Sequence, residues 1–266
     1  LIMPVRFSGM IVNSFSRASS SGQRVFEILD TKSPVQQALD ARNLPSGEGR
    51  VTFEHVSFTY DGVRDALHDI NLDVAAGAVI ALVGRPGSGK TTLAHLIPRF
   101  YDVTEGRLLI DGQDIRELTL ESLRRNVGVV QQDVFIHTAS IRDNVAYGDG
   151  SADMERVVDA MKVAQLHGFI EELPAGYDTV VGERGVGLSG GQKQRLSIAR
   201  TIILDPPVLV LDDSTSSVDV YTERLIQQAL NDVIEGRTTF LISNRFHAIA
   251  QADEILVFQD GRIVQR

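Results

Sequence analysis

The stretch Val79-Ile80-Ala81-Leu82-Val83-Gly84-Arg85-Pro86-Gly87-Ser88-Gly89-Lys90-Thr91 decides how the rest of the chain is read. Its first five residues are apolar, and such a run suits a strand covered on both faces. The eight that follow fit the pattern G-x-x-x-x-G-K-[ST]. In that pattern the glycines let backbone N–H groups close around phosphate oxygens. The lysine, here Lys90, reaches the β- and γ-phosphates, and the hydroxyl of Thr91 ligates Mg²⁺. A helix opening at Lys90 turns its positive end toward the same anion. Gly84, Arg85, Pro86, Gly87, Ser88, Gly89, Lys90, Thr91 and Thr92 are therefore the expected binding segment for ATP with Mg²⁺. A glycine-rich turn can match this pattern by chance, but the strand before it and the helix after it argue against chance.

Working outward, a second apolar run, Val208-Leu209-Val210-Leu211, ends in Asp212. A strand that delivers a carboxylate at its end supplies the acid that orients Mg²⁺ in P-loop NTPases. Helical patterns separate the strands, at Met154 to Leu166 and Tyr221 to Ile234. Strand alternating with helix predicts an α/β fold with a mostly parallel sheet. Val51, Phe53 and Phe58 with Tyr60, then Leu67 to Val74, read instead as antiparallel strands added at one side.

Composition narrows the function. The 266 residues are 43% hydrophobic and 23% charged, enough for a sizeable core. The formal net charge of −9 argues against nucleic acid as the main partner, because that partner needs surplus Lys and Arg. The absence of cysteine excludes disulfides and cysteine-held zinc. No apolar run approaches the roughly 20 residues of a membrane span.

Residues 31–49, with Pro34, Pro45, Gly47 and Gly49 among polar neighbours, read as a linker. Before it, Ile11, Phe15, Ala18, Gly22, Val25 and Leu29 recur at spacings of four and three, which puts them on one helical face. Arg6, Arg17 and Arg24 add positive charge. An amphipathic helix and the cytoplasmic end of a transmembrane helix both satisfy this pattern. The opening Leu1-Ile2-Met3-Pro4 reads as the interior of a longer chain.

A third motif is more specific. Leu188-Ser189-Gly190-Gly191-Gln192, followed by Lys193-Gln194-Arg195-Leu196-Ser197-Ile198-Ala199-Arg200, places a Ser and two Gly at a helix start, a second anion-binding arrangement. This run closely resembles the signature of the ABC ATPase family, and the resemblance covers nearly the whole chain. It implies a P-loop core with an antiparallel β subdomain and a helical subdomain inserted at about 133–205. It also implies that the signature of one domain closes over the P-loop of another.

Further roles follow from the resemblance alone. Tyr60 falls where the family stacks an aromatic on adenine. Gln132 matches the glutamine loop that senses Mg²⁺ and the γ-phosphate, and Gln131 is the weaker choice. Asp219, in Ser216-Ser217-Val218-Asp219, matches a loop that touches the partner domain. Glu183 and Arg184, in Val181-Gly182-Glu183-Arg184-Gly185, resemble an exporter segment that meets the intracellular ends of membrane helices. Gly22 to Asp30 resembles the junction leaving the last transmembrane helix. Residues 1–30 are thus expected to end a membrane domain, 31–49 to link, and 50–266 to form the nucleotide-binding domain on the cytoplasmic face of the cell (inner) membrane.

Two positions depart from the family pattern. Asp213 stands where a Glu polarises the attacking water, and Asn244 where a His contacts the γ-phosphate. Asp is shorter by one C–C bond, about 1.5 Å, and a 1 Å misplacement costs on the order of 10²-fold in rate. Asn244 brings less help to developing charge. His247 is three residues further on and reads as a surface histidine, like His55 and His68. The pair predicts a site kept for binding and relieved of catalysis. A second, non-identical ABC subunit is then favoured as partner over a copy of this chain. A soluble ABC ATPase and a non-catalytic nucleotide-binding regulator are the alternatives.

Overall fold

In the computed structural model, residues 2–31, 33–131, 133–182, 187–212, 220–243 and 249–266 are described. The chain divides into two units, Leu1–Gln36 and Gln37–Arg266. The first holds one helix, α1 (Ile2–Leu29). At 1.5 Å per residue it is about 42 Å long. Phe7, Met10, Ile11, Val12, Phe15, Val25, Phe26, Ile28 and Leu29 are all exposed on it. Among the described residues, no helix is long and apolar enough to cross a membrane.

The second unit is built on two main sheets. Strands β1 (Val51–Thr59), β2 (Asp65–Val74), β4 (Glu105–Ile110) and β5 (Gln113–Asp114) form an antiparallel sheet in the order β2-β1-β4-β5. Strands β3 (Val79–Gly84), β6 (Val127–Val130), β9 (Val208–Asp212), β10 (Thr238–Ile242), β11 (Glu254–Gln259) and β12 (Arg262–Gln265) form the other, ordered β12-β11-β3-β10-β9-β6. All its pairings are parallel except that of β11 with β12. Short strands β7 (Ala139–Ser140) and β8 (Val180–Val181) pair separately. The helices are α2 (Lys90–Leu96), α3 (Leu120–Asn126), α4 (Ile141–Val145), α5 (Met154–Val163), α6 (His167–Glu171), α7 (Gly190–Ile202) and α8 (Val220–Ile234).

The apolar runs explain this arrangement. Successive side chains of a strand point to opposite faces. Val208 and Val210 of β9 join one core, and Leu209 and Leu211 the other. In β10, Phe240 and Ile242 face the first core, and Leu241 the second. The first core packs β1, β2, β4 and α2 against the parallel sheet, with Phe53 and Phe240 edge to face at 6.2 Å. The second covers the opposite face with α4 to α8. A sheet covered on both sides needs continuous apolar strands rather than alternating ones.

The segment read as a linker is partly fastened to the second unit. Leu44 is buried in the first core, and its N–H donates to Ser122 Oγ at 2.8 Å. Arg42 exchanges backbone hydrogen bonds with Glu117 and Thr119. The carboxylate of Asp111 accepts from the N–H groups of Gly49 and Arg50, at 3.0 and 2.9 Å. Composition registered the prolines and glycines and missed these anchors, so the attachment begins before residue 49.

Asp149 ties the helical part together. Its buried carboxylate accepts from Ser151 Oγ at 2.6 Å and from Arg156 at 2.7 Å. Arg156 also donates to the carbonyl of Ile203 at 2.6 Å, at the end of α7. The Ser151 hydroxyl, with Arg156 second, holds the Asp149 carboxyl at a pKa of about 2. Because this is below the ordinary value, the charged form stabilises the fold above about pH 4, and the contribution is lost as pH falls through about 2. Thermal unfolding should therefore show Asp149→Asn less stable than wild type by a constant margin from pH 7 to 5. The margin should close as pH drops below 4. An equal margin at every pH would remove the charge from this account.

Candidate functional site

The strand β3 ends at Gly84 and the helix α2 begins at Lys90, so the loop 85–89 turns between sheet and helix. Gly84 has φ 152°, and a Cβ there would stand 2.4 Å from the Phe258 carbonyl of β11. Gly89 has φ 105°, and its Cβ would meet the Ala66 carbonyl at 2.8 Å. Both positions require glycine, for space and for backbone conformation. The turn between β11 and β12 pins the loop from outside, through Gly261 N–H to the Ser88 carbonyl at 3.0 Å.

Lys90 folds back over the loop. Its ammonium donates to the carbonyls of Gly84 and Arg85, both at 2.9 Å, and to Ser88 Oγ at 3.3 Å. The cation is thus largely buried and held in place by dipoles of its own loop. Asp212 closes β9 at the same end of the sheet. Leu82 pairs with Ile242, and Ile242 with Asp212, which puts Asp212 two strands across, about 10 Å from Leu82. An ammonium, the adjacent Thr91 hydroxyl and this carboxylate fit a polyphosphate accompanied by a divalent cation.

Tyr60 follows β1 and is 56% exposed. Its hydroxyl donates to Thr92 Oγ1 on α2 at 3.1 Å. Phe58 and Tyr101 stand perpendicular to its ring at centroid distances of 4.8 and 5.1 Å. The sequence marked Tyr60 and Thr92 and missed Tyr101, which follows α2 without any periodic signal. It also missed His95, which lies four residues beyond Thr91 on α2. Burial lowers the pKa of the His95 imidazole, and the charge of Asp212 works against that shift.

The second loop that the sequence marks, before α7, has a defined helix cap. Ser189 Oγ accepts from Gln192 N–H at 3.3 Å, and Gln192 Oε1 accepts from Ser189 N–H at 2.8 Å. This reciprocal pair fixes the start of α7. Leu188 is buried in the second core and anchors the loop from below. Among the described residues, nothing outside the helix itself and the glycine's chain neighbours comes within 4 Å of where a Gly190 Cβ would stand. Gln132, Glu183, Arg184, Asp213, Asp219 and Asn244 lie outside the described residues, as does His247.

Known proteins show to which family this fold belongs. The family model described as ABC transporter matches residues 67–216. The "Uncharacterized ABC transporter ATP-binding protein YknU" of Bacillus subtilis is 45% identical over 267 residues, spanning 100% of this chain and 46% of that protein. The "ATP-dependent lipid A-core flippase" of Syntrophus aciditrophicus is 43% identical, over 100% of this chain and 44% of its own length. A solved bacterial Atm1-family ABC exporter with ATP bound superposes with a TM-score of 0.84 at 42% identity, over 100% of this chain and 46% of that one. The chain thus spans about half the length of the curated relatives it matches. With a glycine-built phosphate loop, a carboxylate-tipped strand and a capped signature helix in an α/β P-loop fold, the chain belongs to the ABC transporter family.

Proposed function

We propose that this chain binds and hydrolyses MgATP and powers export of a substrate across a membrane by closing on a second ABC domain. The observation that carries the reading is that one chain has both a glycine loop closed around Lys90 and a separate glycine-led helix start capped by Ser189, two arrangements suited to anions. The ABC exporter with ATP bound, matched over the whole of this chain, supports the export assignment. So does the length of the relatives, which leaves room for a membrane domain.

In this reading Lys90, Thr91 and Asp212, with Gln132, hold the phosphates and Mg²⁺. The Mg²⁺ supplies charge neutralisation at the phosphates when bound. Lys90 exchanges its loop oxygens for phosphate oxygens, and Tyr60 carries the base. Ser189 with Gly190 and Gly191 acts on the nucleotide of the partner domain. Among the described residues nothing crowds Gly190, which suits such an approach. Asp219 meets the partner, and Glu183 with Arg184 meets the membrane domain. Residues 1–30 continue the last membrane helix, which accounts for the exposed apolar side chains of α1. The domain then sits at the cytoplasmic face of the cell membrane.

Asp213 and Asn244 make this chain's own site the weaker of an unequal pair, so the partner is a non-identical subunit. Its nucleotide is held for long periods while the other site, completed by Leu188 to Gln192 of this chain, turns over.

Calorimetry tests the binding. Lys90→Ala should weaken ATP binding by about 1.5–3 kcal/mol, the worth of a charge-assisted contact. Unchanged affinity would overturn the placement of the phosphates. Ser189→Arg should spare ATP binding to this chain and abolish turnover of the assembled transporter.

Single-turnover hydrolysis tests the unequal pair. This chain without a partner should turn over well below about 1 s⁻¹, the low end of ordinary enzymes. Asp213→Glu alone should restore little, and Asp213→Glu with Asn244→His should raise the rate at this site. Wild-type rates near 1 s⁻¹ or above would remove the case for a heterodimer.

A further inference from the structure

We infer that Tyr101 is a positioning residue for nucleotide selectivity. With Phe58 and the Thr92 hydroxyl it holds the Tyr60 ring in the orientation that receives a base. This deepens the proposed function and rests on its reading of Tyr60 as the base-stacking side chain.

An exposed tyrosine on a loop ordinarily keeps its rotamer freedom and loses it on binding a ligand, which weakens the complex. Here the ring is restrained on three sides. Phe58 is 4% exposed and belongs to the first core, so its ring is a fixed wall. It stands at 86° to Tyr60. Tyr101 stands at 87° to Tyr60 from a different part of the chain, and lies against Phe58 as well at 5.5 Å. Tyr101 in turn packs on the first core. The third restraint is the hydrogen bond from Tyr60 to Thr92, which is 8% exposed.

Together these contacts fix the plane, the tilt and the reach of the ring, and still leave it 56% exposed. A half-exposed aromatic ring that is already immobilised is a pre-formed stacking surface. The tie to Thr92 adds a second property. Thr92 sits two residues past Lys90 on the same short helix. The stacking surface and the phosphate-binding ammonium are therefore fastened to one element, and their separation is set by the fold. A nucleoside triphosphate carries both a base and phosphates and so can engage both ends of the pair. A bare polyphosphate uses one end of the pair and gains nothing from the other.

The test compares magnesium ATP with inorganic magnesium tripolyphosphate, measuring affinity by displacement of a fluorescent ATP analogue from the full chain. Tyr101→Leu should lower ATP affinity about 2- to 10-fold, the range expected for loss of one aromatic pair. Tripolyphosphate affinity should stay unchanged, and Tyr101→Phe should return ATP affinity to the wild-type value. Tyr60→Phe keeps the ring and removes the tie to Thr92, so it too should weaken ATP and spare tripolyphosphate. It keeps the test open if Tyr101→Leu does not fold. Equal loss for both ligands in Tyr101→Leu would make Tyr101 merely structural and overturn the inference. So would unchanged ATP affinity in Tyr101→Leu while Tyr60→Ala is impaired. Unchanged ATP affinity in Tyr60→Ala would instead overturn the base-stacking reading on which the inference rests.

Discussion

The largely buried ammonium of Lys90 is the constraint around which this molecule is organised. Removing a charge from water costs several kcal/mol unless partners compensate. The compensation comes from the Gly84 and Arg85 carbonyls and the Ser88 hydroxyl, and these converge only because the loop curls tightly between β3 and α2. The curl needs Gly84 and Gly89, whose missing side chains leave room for β11 and β2 to press against it. Those strands are held in turn by the first core, through Leu67 and Ile70 of β2 and Leu256 and Phe258 of β11. The loop is thus the narrow point at which global packing becomes local charge.

Much of this was legible in the sequence, and the reason is locality. The loop pattern, the apolar runs of β3 and β9 and the terminal carboxylate of Asp212 are each contiguous, so the eye needs no long-range contact to see them. The signature was equally plain, and its serine turns out to close a reciprocal cap with Gln192. The antiparallel strands were visible through Val51, Phe53 and Phe58 with Tyr60, in a stretch whose half-exposed rhythm differs from that of the parallel strands.

What escaped has a common cause, which is that its meaning lies in a distant partner. Tyr101 matters through Tyr60, 41 positions away and in contact only after β1 pairs with β4. His95 sits on a short helix whose apolar neighbours gave it no distinction, and Asp212 approaches it from the far side of β10. Leu44, like Val35 and Leu39, was an apolar residue scattered without period in a polar stretch, too little to counter the prolines and glycines around it. Asp213 and Asn244 are the reverse case. They speak through residue type alone, by differing from a pattern, and it is their chemistry rather than any contact that sets them apart.

The fastening of residues 42–50 has a mechanical side. Asp111 grips two successive amide groups, Arg42 is laced to the segment around Thr119, and Leu44 is sunk in the core. A pull on the chain at Arg42 therefore reaches the segment around Thr119, and then the first core through Leu44, before it can reach residue 49. The segment behaves as a tow-hitch: tension applied on one side is delivered to the body of the domain instead of being absorbed by a stretching tether.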